Sequence, residues 1–115
     1  PFVPPILGLK EAGFLTSDTV WGLTELPRRL VVLGGGPIGS ELAQSFARLG
    51  SAVTQVEMAP RIMVREDPEV SELVAASLRA DGVNVLTGHQ AVRVEVVPGG
   101  QGPEKRLIAK AGGAE

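Results

Sequence analysis

The 115-residue sequence contains no cysteine and only one histidine, His89. Without cysteine, these residues hold no disulfide, no thiolate metal site, no redox dithiol and no cysteine nucleophile. A single histidine also leaves little room for a histidine-based metal centre. These two absences exclude thiol chemistry within the chain and argue against a bound metal ion.

Long apolar runs and blocks of basic charge are absent as well. No apolar stretch approaches the roughly 18–20 residues of a membrane-spanning helix, and the start of the chain lacks the pattern of a signal peptide. The 11 Lys and Arg are dispersed among 13 Asp and Glu, for a net charge of −2. Neither nucleic acid nor a membrane is therefore an expected partner, and we expect a cytoplasmic protein.

The composition is otherwise that of a folded domain, with 43% hydrophobic and 21% charged residues, which is close to the globular average. Proline occupies three of the first five positions, so residues 1–28 are predicted to be a connector from a preceding domain. A short helix over residues 19–23 is predicted within it. Residues 29–115 are predicted to form the domain proper, truncated before its last strand. Since the chain does not begin with Met, we expect it to be a piece of a longer protein.

A strand, a glycine turn, a helix and a second strand follow one another within 30 residues. Residues 30–33 are predicted to form a strand buried on both faces of a parallel sheet, and residues 52–57 the next strand. Between them a helix begins at Pro37 and ends before Gly50. Its apolar stripe is predicted to be Ile38, Leu42, Phe46 and Leu49. This order predicts a right-handed βαβ unit.

The second half of the chain continues the alternation and then departs from it. A helix is predicted to begin with Asp67 as its N-cap, followed by a third strand at residues 83–86. The apolar stripe of this helix is predicted to be Val70, Leu73, Val74 and Leu78. Residues 92–96 and 106–109, separated by a six-residue Gly/Pro loop, predict an antiparallel hairpin. The fold class is therefore α/β.

The glycine turn carries the G-x-G-x-x-G spacing at Gly34, Gly36 and Gly39. In a dinucleotide-binding loop the first glycine permits the turn, the second lets the backbone approach a pyrophosphate, and the third lets the helix lie close to the sheet. The helix that Pro37 opens then presents its N–H groups and positive dipole end to the phosphates. The alternative is a strand-to-helix turn that binds nothing, because 15 glycines produce such spacings by chance. The βαβ context favours the dinucleotide site.

Two carboxylates stand near this turn. Glu57 closes the second strand, where it can accept hydrogen bonds from the adenosine ribose and would repel a 2′-phosphate, which favours NAD over NADP. The alternative for Glu57 is a solvated strand end. Glu41 is placed on the first turn of the helix, where the dipole alone is sufficient reason for a carboxylate. His89 is assigned to a loop, and the surface is the preferred place for Arg61, Arg65 and Lys105.

The segment GGGPIGSELA at residues 34–43, with FARLG and VTQVE after it, resembles the NAD-binding domain of the pyridine nucleotide-disulfide oxidoreductases. The segments PPILGL and REDPE resemble the dihydrolipoamide dehydrogenases and mercuric reductases of that family in particular. The resemblance covers nearly the whole chain. The hairpin also fits it, since this family replaces one crossover helix of its Rossmann-like sheet with a β-meander.

The resemblance implies an enzyme in which NADH reduces FAD and the flavin exchanges electrons with a disulfide. The FAD and the cysteines would belong to a domain before residues 1–28, and a dimerisation domain would follow residue 115. The parent protein would be a homodimer, and this fragment alone would be inactive. By this resemblance the pyrophosphate would be bound by Gly34, Gly36 and Gly39, with Pro37. Glu57 would bind the adenosine ribose. Ile38 would lie against the nicotinamide–flavin stack, and Glu41 would bind the carboxamide.

Other functions remain open at this point. A regulatory NAD-sensing Rossmann module usually begins with its glycine strand, whereas 29 residues precede Leu30 here. A flavin-free dehydrogenase would continue the βα alternation after Leu86. NADPH-using mercuric reductases tend to lack the acid at the strand end, so Glu57 favours a dihydrolipoamide dehydrogenase-like enzyme. The electron acceptor itself is not encoded in these residues.

Overall fold

The computed structural model describes residues 6–16, 25–99 and 102–111. The predicted helix at residues 19–23 lies outside these ranges. The elements in chain order are α1 (Leu9–Ala12), β1 (Arg29–Leu33), α2 (Pro37–Arg48), β2 (Ala52–Val56), α3 (Pro68–Ala80), β3 (Asn84–Leu86), β4 (Gln90–Gly99) and β5 (Gly102–Lys110).

Strands β1, β2 and β3 form a parallel sheet in that spatial order. Val32 of β1 lies opposite Gln55 of β2, and Gln55 lies opposite Val85 of β3. Strands β4 and β5 pair antiparallel as a separate two-stranded sheet. The predicted α/β class, with a βαβ sheet and an antiparallel hairpin, is confirmed.

Both longer helices cover the same face of the parallel sheet. Ala43 of α2 and Leu78 of α3 are buried in one cluster with Val53 of β2 and Val85 of β3. Ile62, from the loop between β2 and α3, completes this cluster. The core therefore lies between the helices and alternate residues of the strands, as the period-2 geometry of a strand requires.

The predicted apolar stripes match the buried faces of the helices only in part. Phe46 and Val74 pack against the core cluster as predicted. In α2 the fully buried positions are Ser40 and Ala43, whereas Ile38 is 62% exposed and Leu49 is also exposed. Small side chains lie against the sheet because α2 approaches it closely at the glycine turn. In α3, Leu78 is buried but Leu73 is exposed.

The prediction that β1 is buried on both faces is wrong. Leu30 and Val32 pack against the core cluster, whereas Val31 and Leu33 are exposed. The helices cover only one face of the sheet, and β1 is an edge strand of the sheet that the structure describes. The apolar run therefore predicted the strand correctly but not which of its side chains are buried.

The hairpin is longer than the sequence predicted. Its strands pair up to Pro98 with Pro103 and Gly99 with Gly102, so only residues 100–101 connect them instead of the six-residue loop. Proline is tolerated at such a strand end because its missing N–H interrupts little of the ladder.

Part of the predicted connector packs on this hairpin. Val94 N–H donates to the Leu7 carbonyl at 2.8 Å, and Leu9 of α1 is buried. Gly8 has φ +82 and lies so close to the Val94 carbonyl that a Cβ would have no room. The boundary between residues 1–28 and 29–115 stays a prediction. None of the helices in the described ranges has the length and apolar character needed to cross a membrane.

Two leucines of α3 offer a matched test of this packing. Leu78 is 2% exposed and Leu73 is 72% exposed. We expect Leu78→Ala to lower the free energy of unfolding by about 2–5 kcal/mol, because it removes buried contacts and leaves a cavity. We expect Leu73→Ala to change it by less than about 0.5 kcal/mol. Urea unfolding followed by circular dichroism measures both, and equal losses would contradict the assigned face of α3.

Candidate functional site

The carboxyl ends of the parallel strands and the start of α2 meet at one edge of the sheet. Gly34 N–H donates to the Val56 carbonyl at 2.8 Å, and Glu57 N–H donates to the Leu86 carbonyl at 2.9 Å. The glycine turn follows β1 and Glu57 follows the adjacent strand β2, so the two lie side by side. In open α/β sheets this edge is where ligands bind.

The three spaced glycines differ in what their missing side chains permit. Gly34 has φ +111, a conformation that side chains disfavour. A Cβ on Gly39 would lie 2.7 Å from the Gly34 carbonyl oxygen, so only glycine lets α2 approach the turn this closely. Gly36 is extended, and a Cβ there would point into open space. Gly34 and Gly39 are therefore required by the protein's own backbone geometry. Gly36 is not, and its missing side chain leaves room for a ligand.

The start of α2 leaves backbone donors open. Gly36 is the N-cap and has no side chain to cap the helix, and Pro37 has no N–H. Ser40 N–H bonds back to the Gly36 carbonyl at 3.0 Å. The N–H groups of Ile38 and Gly39 have no acceptor within the helix, because they belong to its first turn. This end of the helix carries the positive end of its dipole.

Glu57 is held by the backbone around it. Its Oε1 accepts a hydrogen bond from Gly35 N–H at 2.8 Å, and its Oε2 accepts one from Ala59 N–H at 2.8 Å. The side chain is half-buried. It is thus a fixed negative charge beside the turn and not a freely solvated strand end. A carboxylate has about four acceptor positions, so two remain for further donors.

The predicted placement of Glu41 on the first turn of the helix is wrong. Helix α2 begins at Pro37, and its first turn contains no acidic residue. The dipole effect decays within that turn, so it does not account for Glu41. Glu41 is exposed, and its side chain makes no hydrogen bond or ion pair in the described part of the chain. Ile38, three residues earlier and also exposed, lies on the same face of the helix.

Gly35, the middle residue of the turn, was not among the predicted site residues. A Cβ on it would lie 2.8 Å from Cγ2 of Ile62 and 3.1 Å from Cγ of Glu57. Its carbonyl accepts a hydrogen bond of 2.7 Å from Met63 N–H, and Met63 has the strained value φ 51. The loop after β2 is thereby attached to the glycine turn. The three consecutive glycines at residues 34–36 were the available signal.

Gln55 and Ser40 were overlooked as well. The Nε2 of Gln55 donates to the Gly34 carbonyl at 3.0 Å and to Ser40 Oγ at 3.1 Å, and both side chains are buried. The sequence signal was a glutamine inside the strand Ala52–Val56, between Thr54 and Val56. Its amide lies directly beneath the glycine turn.

The remaining candidates lie around the site or away from it. His89 N–H donates to the Glu57 carbonyl at 3.1 Å, which places His89 at the same edge of the sheet. Arg61 donates to the Val64 carbonyl at 3.0 Å within its own loop, and Lys105 donates to the Gly13 carbonyl at 3.3 Å. Within residues 6–16, 25–99 and 102–111, no group of three His, Asp or Glu could hold a metal ion.

Comparison with known proteins gives a consistent result. Residues 1–112 match the family model described as pyridine nucleotide-disulphide oxidoreductase. The chain is 42% identical over 95 residues to the mercuric reductase of Lysinibacillus sphaericus and 44% identical over 92 residues to that of Bacillus cereus. The structure is similar to a Cu(II) complex of a mutant of the HOCl-induced flavoprotein disulfide reductase RclA from Escherichia coli, with a TM-score of 0.84 and 32% identity.

The matches cover most of this chain but a small part of each relative. The two mercuric reductases match 83% and 80% of the chain, which corresponds to 17% and 15% of their own lengths. The RclA structure matches 96% of the chain and 24% of its own length.

Substituting Gly39 tests the close approach of α2 to the turn. We expect Gly39→Ala to lower the free energy of unfolding by about 1–3 kcal/mol, because the added Cβ overlaps the Gly34 carbonyl oxygen. Ser45→Ala, at an exposed position of the same helix, should change it by less than about 0.5 kcal/mol. Urea unfolding of both variants provides the comparison. A Gly39→Ala variant as stable as the native protein would contradict the tight contact.

Proposed function

Because this chain belongs to the pyridine nucleotide-disulphide oxidoreductase family, we propose that it is the NAD(H)-binding domain of an FAD-dependent oxidoreductase. The observation that carries the proposal is the arrangement at the sheet edge. The open backbone of the glycine turn and the fixed Glu57 carboxylate lie side by side and are joined through Gly35 N–H. A dinucleotide needs both an anion site and a ribose acceptor, and this edge offers them on adjacent strands.

The pyrophosphate would lie over Gly36. The residues fit such a group because a Cβ at Gly36 would occupy open space, and because the N–H groups of Ile38 and Gly39 are left without helical acceptors. Gly34 gives the turn its shape, and Pro37 fixes the first residue of the helix at a backbone angle suited to it. Backbone donors and the helix dipole bind an anion here without any basic side chain.

The nicotinamide end would lie on the exposed face of α2. Ile38 offers an apolar surface against which a planar ring can pack, and Glu41 offers a carboxylate free to accept hydrogen bonds from a carboxamide. A bound nicotinamide supplies the hydride for reduction of the flavin. The role of these two residues is to hold and orient the ring, and neither is required to transfer a proton.

Glu57 supports NAD over NADP. Its two free acceptor positions suit ribose hydroxyls, whereas its negative charge disfavours a 2′-phosphate at the same place. It is also the reason for proposing a dihydrolipoamide dehydrogenase-like enzyme. The charge is held in position by Gly35 and Ala59, so it cannot easily move aside for a phosphate.

A second candidate is an NADPH-using enzyme like the mercuric reductases. The specific observation in its favour is the 42% and 44% identity to two mercuric reductases. Glu57 is the residue that opposes it. The two candidates predict opposite preferences for the two dinucleotides, and direct binding measurements distinguish them.

The chain matches only a short part of each relative's length, and this supports a proposal about the domains of the longer protein. We propose that residues 1–28 connect an FAD-binding domain to the unit formed by residues 29–115, and that the longer protein is a homodimer. A regulatory NAD-sensing module is the alternative if the turn binds dinucleotide but no flavin partner exists. The cytoplasmic location stays a prediction.

Gly36→Ser separates ligand binding from folding. Serine is among the best N-cap residues, and a side chain at this position meets no protein atom within 4 Å. We therefore expect the variant to be at least as stable as the native chain. The same hydroxymethyl group would occupy the space of the pyrophosphate, so we expect NADH binding to weaken at least about tenfold, or 1.4 kcal/mol.

Calorimetric titration with NADH and urea unfolding measure the two effects of Gly36→Ser. Ser45→Ala, on the same helix but away from the turn, is the control for binding. Unchanged NADH affinity in a folded Gly36→Ser chain would remove the pyrophosphate from this position.

Glu57→Gln tests dinucleotide specificity with little change in shape. The amide cannot accept from both Gly35 N–H and Ala59 N–H, and it carries no charge. We expect NADH binding to weaken by about 1–3 kcal/mol, as for the loss of a charged hydrogen-bond partner. NADPH should lose less, because repulsion of its 2′-phosphate disappears with the charge.

The ratio of NADPH to NADH dissociation constants, measured by titration calorimetry, reports this change. Glu69→Gln removes the same charge at an exposed position on α3 and should leave the ratio unaltered. Equal losses for both dinucleotides in Glu57→Gln would contradict the ribose role. A native chain that prefers NADPH would support the mercuric reductase-like candidate instead.

A further inference from the structure

One peptide group of the glycine turn is held from both sides. The carbonyl of Gly34 accepts a hydrogen bond of 3.0 Å from Gln55 Nε2, and the N–H of Gly35 donates at 2.8 Å to Glu57 Oε1. The carbonyl and N–H of a trans peptide point in opposite directions. The 34–35 peptide is therefore fixed with its carbonyl turned inward and its N–H turned towards Glu57.

This peptide needs such an anchor because of its sequence. Gly34, Gly35 and Gly36 are consecutive, and glycine adopts positive and negative φ with similar ease. A peptide between glycines can reverse its orientation at little steric cost. Reversal would turn the Gly34 carbonyl outward, where its partial negative charge would face an incoming phosphate, and would withdraw the Gly35 N–H from Glu57.

The Gln55 side chain is oriented by its hydrogen bond to the Gly34 carbonyl. It is fully buried, and its Nε2 must face the Gly34 carbonyl because a carbonyl oxygen only accepts hydrogen bonds. The second Nε2 proton is donated to Ser40 Oγ at 3.1 Å, whereas Oε1 has no partner. An apolar side chain of the same size would avoid the unmet acceptor but would leave the Gly34 carbonyl without this donor. The buried amide is therefore explained by its contacts with the turn and with Ser40, and not by apolar packing.

We propose that Gln55 is a positioning residue for the dinucleotide. It fixes the 34–35 peptide, and through that peptide it fixes the Glu57 carboxylate, without touching the ligand itself. The inference rests on the proposed function, because the peptide orientation matters most when an anion occupies the turn.

The first test uses the full 115-residue chain and the variant Gln55→Met, which removes the amide but keeps a long unbranched side chain. In nucleotide-free protein we expect the Gly35 amide resonance to shift and its hydrogen exchange to accelerate about tenfold, as for the loss of one hydrogen bond. The dissociation constants for NAD⁺ and NADH should each rise about tenfold.

The matched control is Gln44→Met. Gln44 Nε2 also donates two hydrogen bonds, to Ser77 Oγ at 3.0 Å and to Asp81 Oδ2 at 2.9 Å. These bonds join α2 to α3 and not to the turn. We expect Gln44→Met to leave the Gly35 amide and both dissociation constants unchanged, even where it alters stability.

If Gln55→Met does not fold, a measurement on the native chain tests the proposal instead. Both side-chain amide protons of Gln55 should be protected from exchange, before and after addition of NAD⁺. Free exchange of these protons would overturn the proposal.

The outcomes separate this inference from the function on which it rests. If the native chain binds neither NAD⁺ nor NADH, the proposed function fails and the positioning role fails with it. If the native chain binds them and Gln55→Met binds them equally well, the function stands and the positioning role alone is overturned.

Discussion

The hydrogen bond between Gly35 N–H and Glu57 Oε1 connects the two halves of the βαβ unit at the point where both strands end. Hydrogen bonds with one charged partner are stronger than those between neutral groups, and this one is partly shielded from water. The loop after β2 also contacts Gly35, one of the two partners of this hydrogen bond. The turn can carry three glycines in succession because one of its peptides is tied to the neighbouring strand.

The loop between β2 and α3 reinforces that connection. Ile62 is buried against Gly35, and Met63 N–H donates to the Gly35 carbonyl. Ser71 of α3 in turn donates its hydroxyl to the Met63 carbonyl at 3.0 Å. Met63 adopts a conformation that is unfavourable for a side chain, and such conformations persist only where their surroundings enforce them. The geometry of the turn is thus maintained by contacts that reach the first part of α3.

The sequence was sufficient for the order of the parallel strands, the two longer helices and the hairpin, because these depend on local patterns. Glycine spacing, a β-branched run and a closing acid occur in a fixed order around Gly34 and Glu57. Periodicity could not show which faces are covered, since that depends on what packs against them, as the exposed Ile38 and Leu73 illustrate. Gly35 and Gln55 were not predicted as site residues because their importance comes from contacts with residues distant in the chain, 22 positions for Gly35 and Glu57 and 21 for Gln55 and Gly34. Local patterns alone do not reveal such contacts.

The exposed side chains of Val31 and Leu33 on β1 have a consequence for handling the protein. Within the part of the chain that the structure describes, β1 pairs on one side only, so its other side presents peptide groups beside apolar surface. An edge of this kind is a template for strand addition by another molecule. We therefore expect high protein concentration to favour self-association through this edge and dilution to disfavour it.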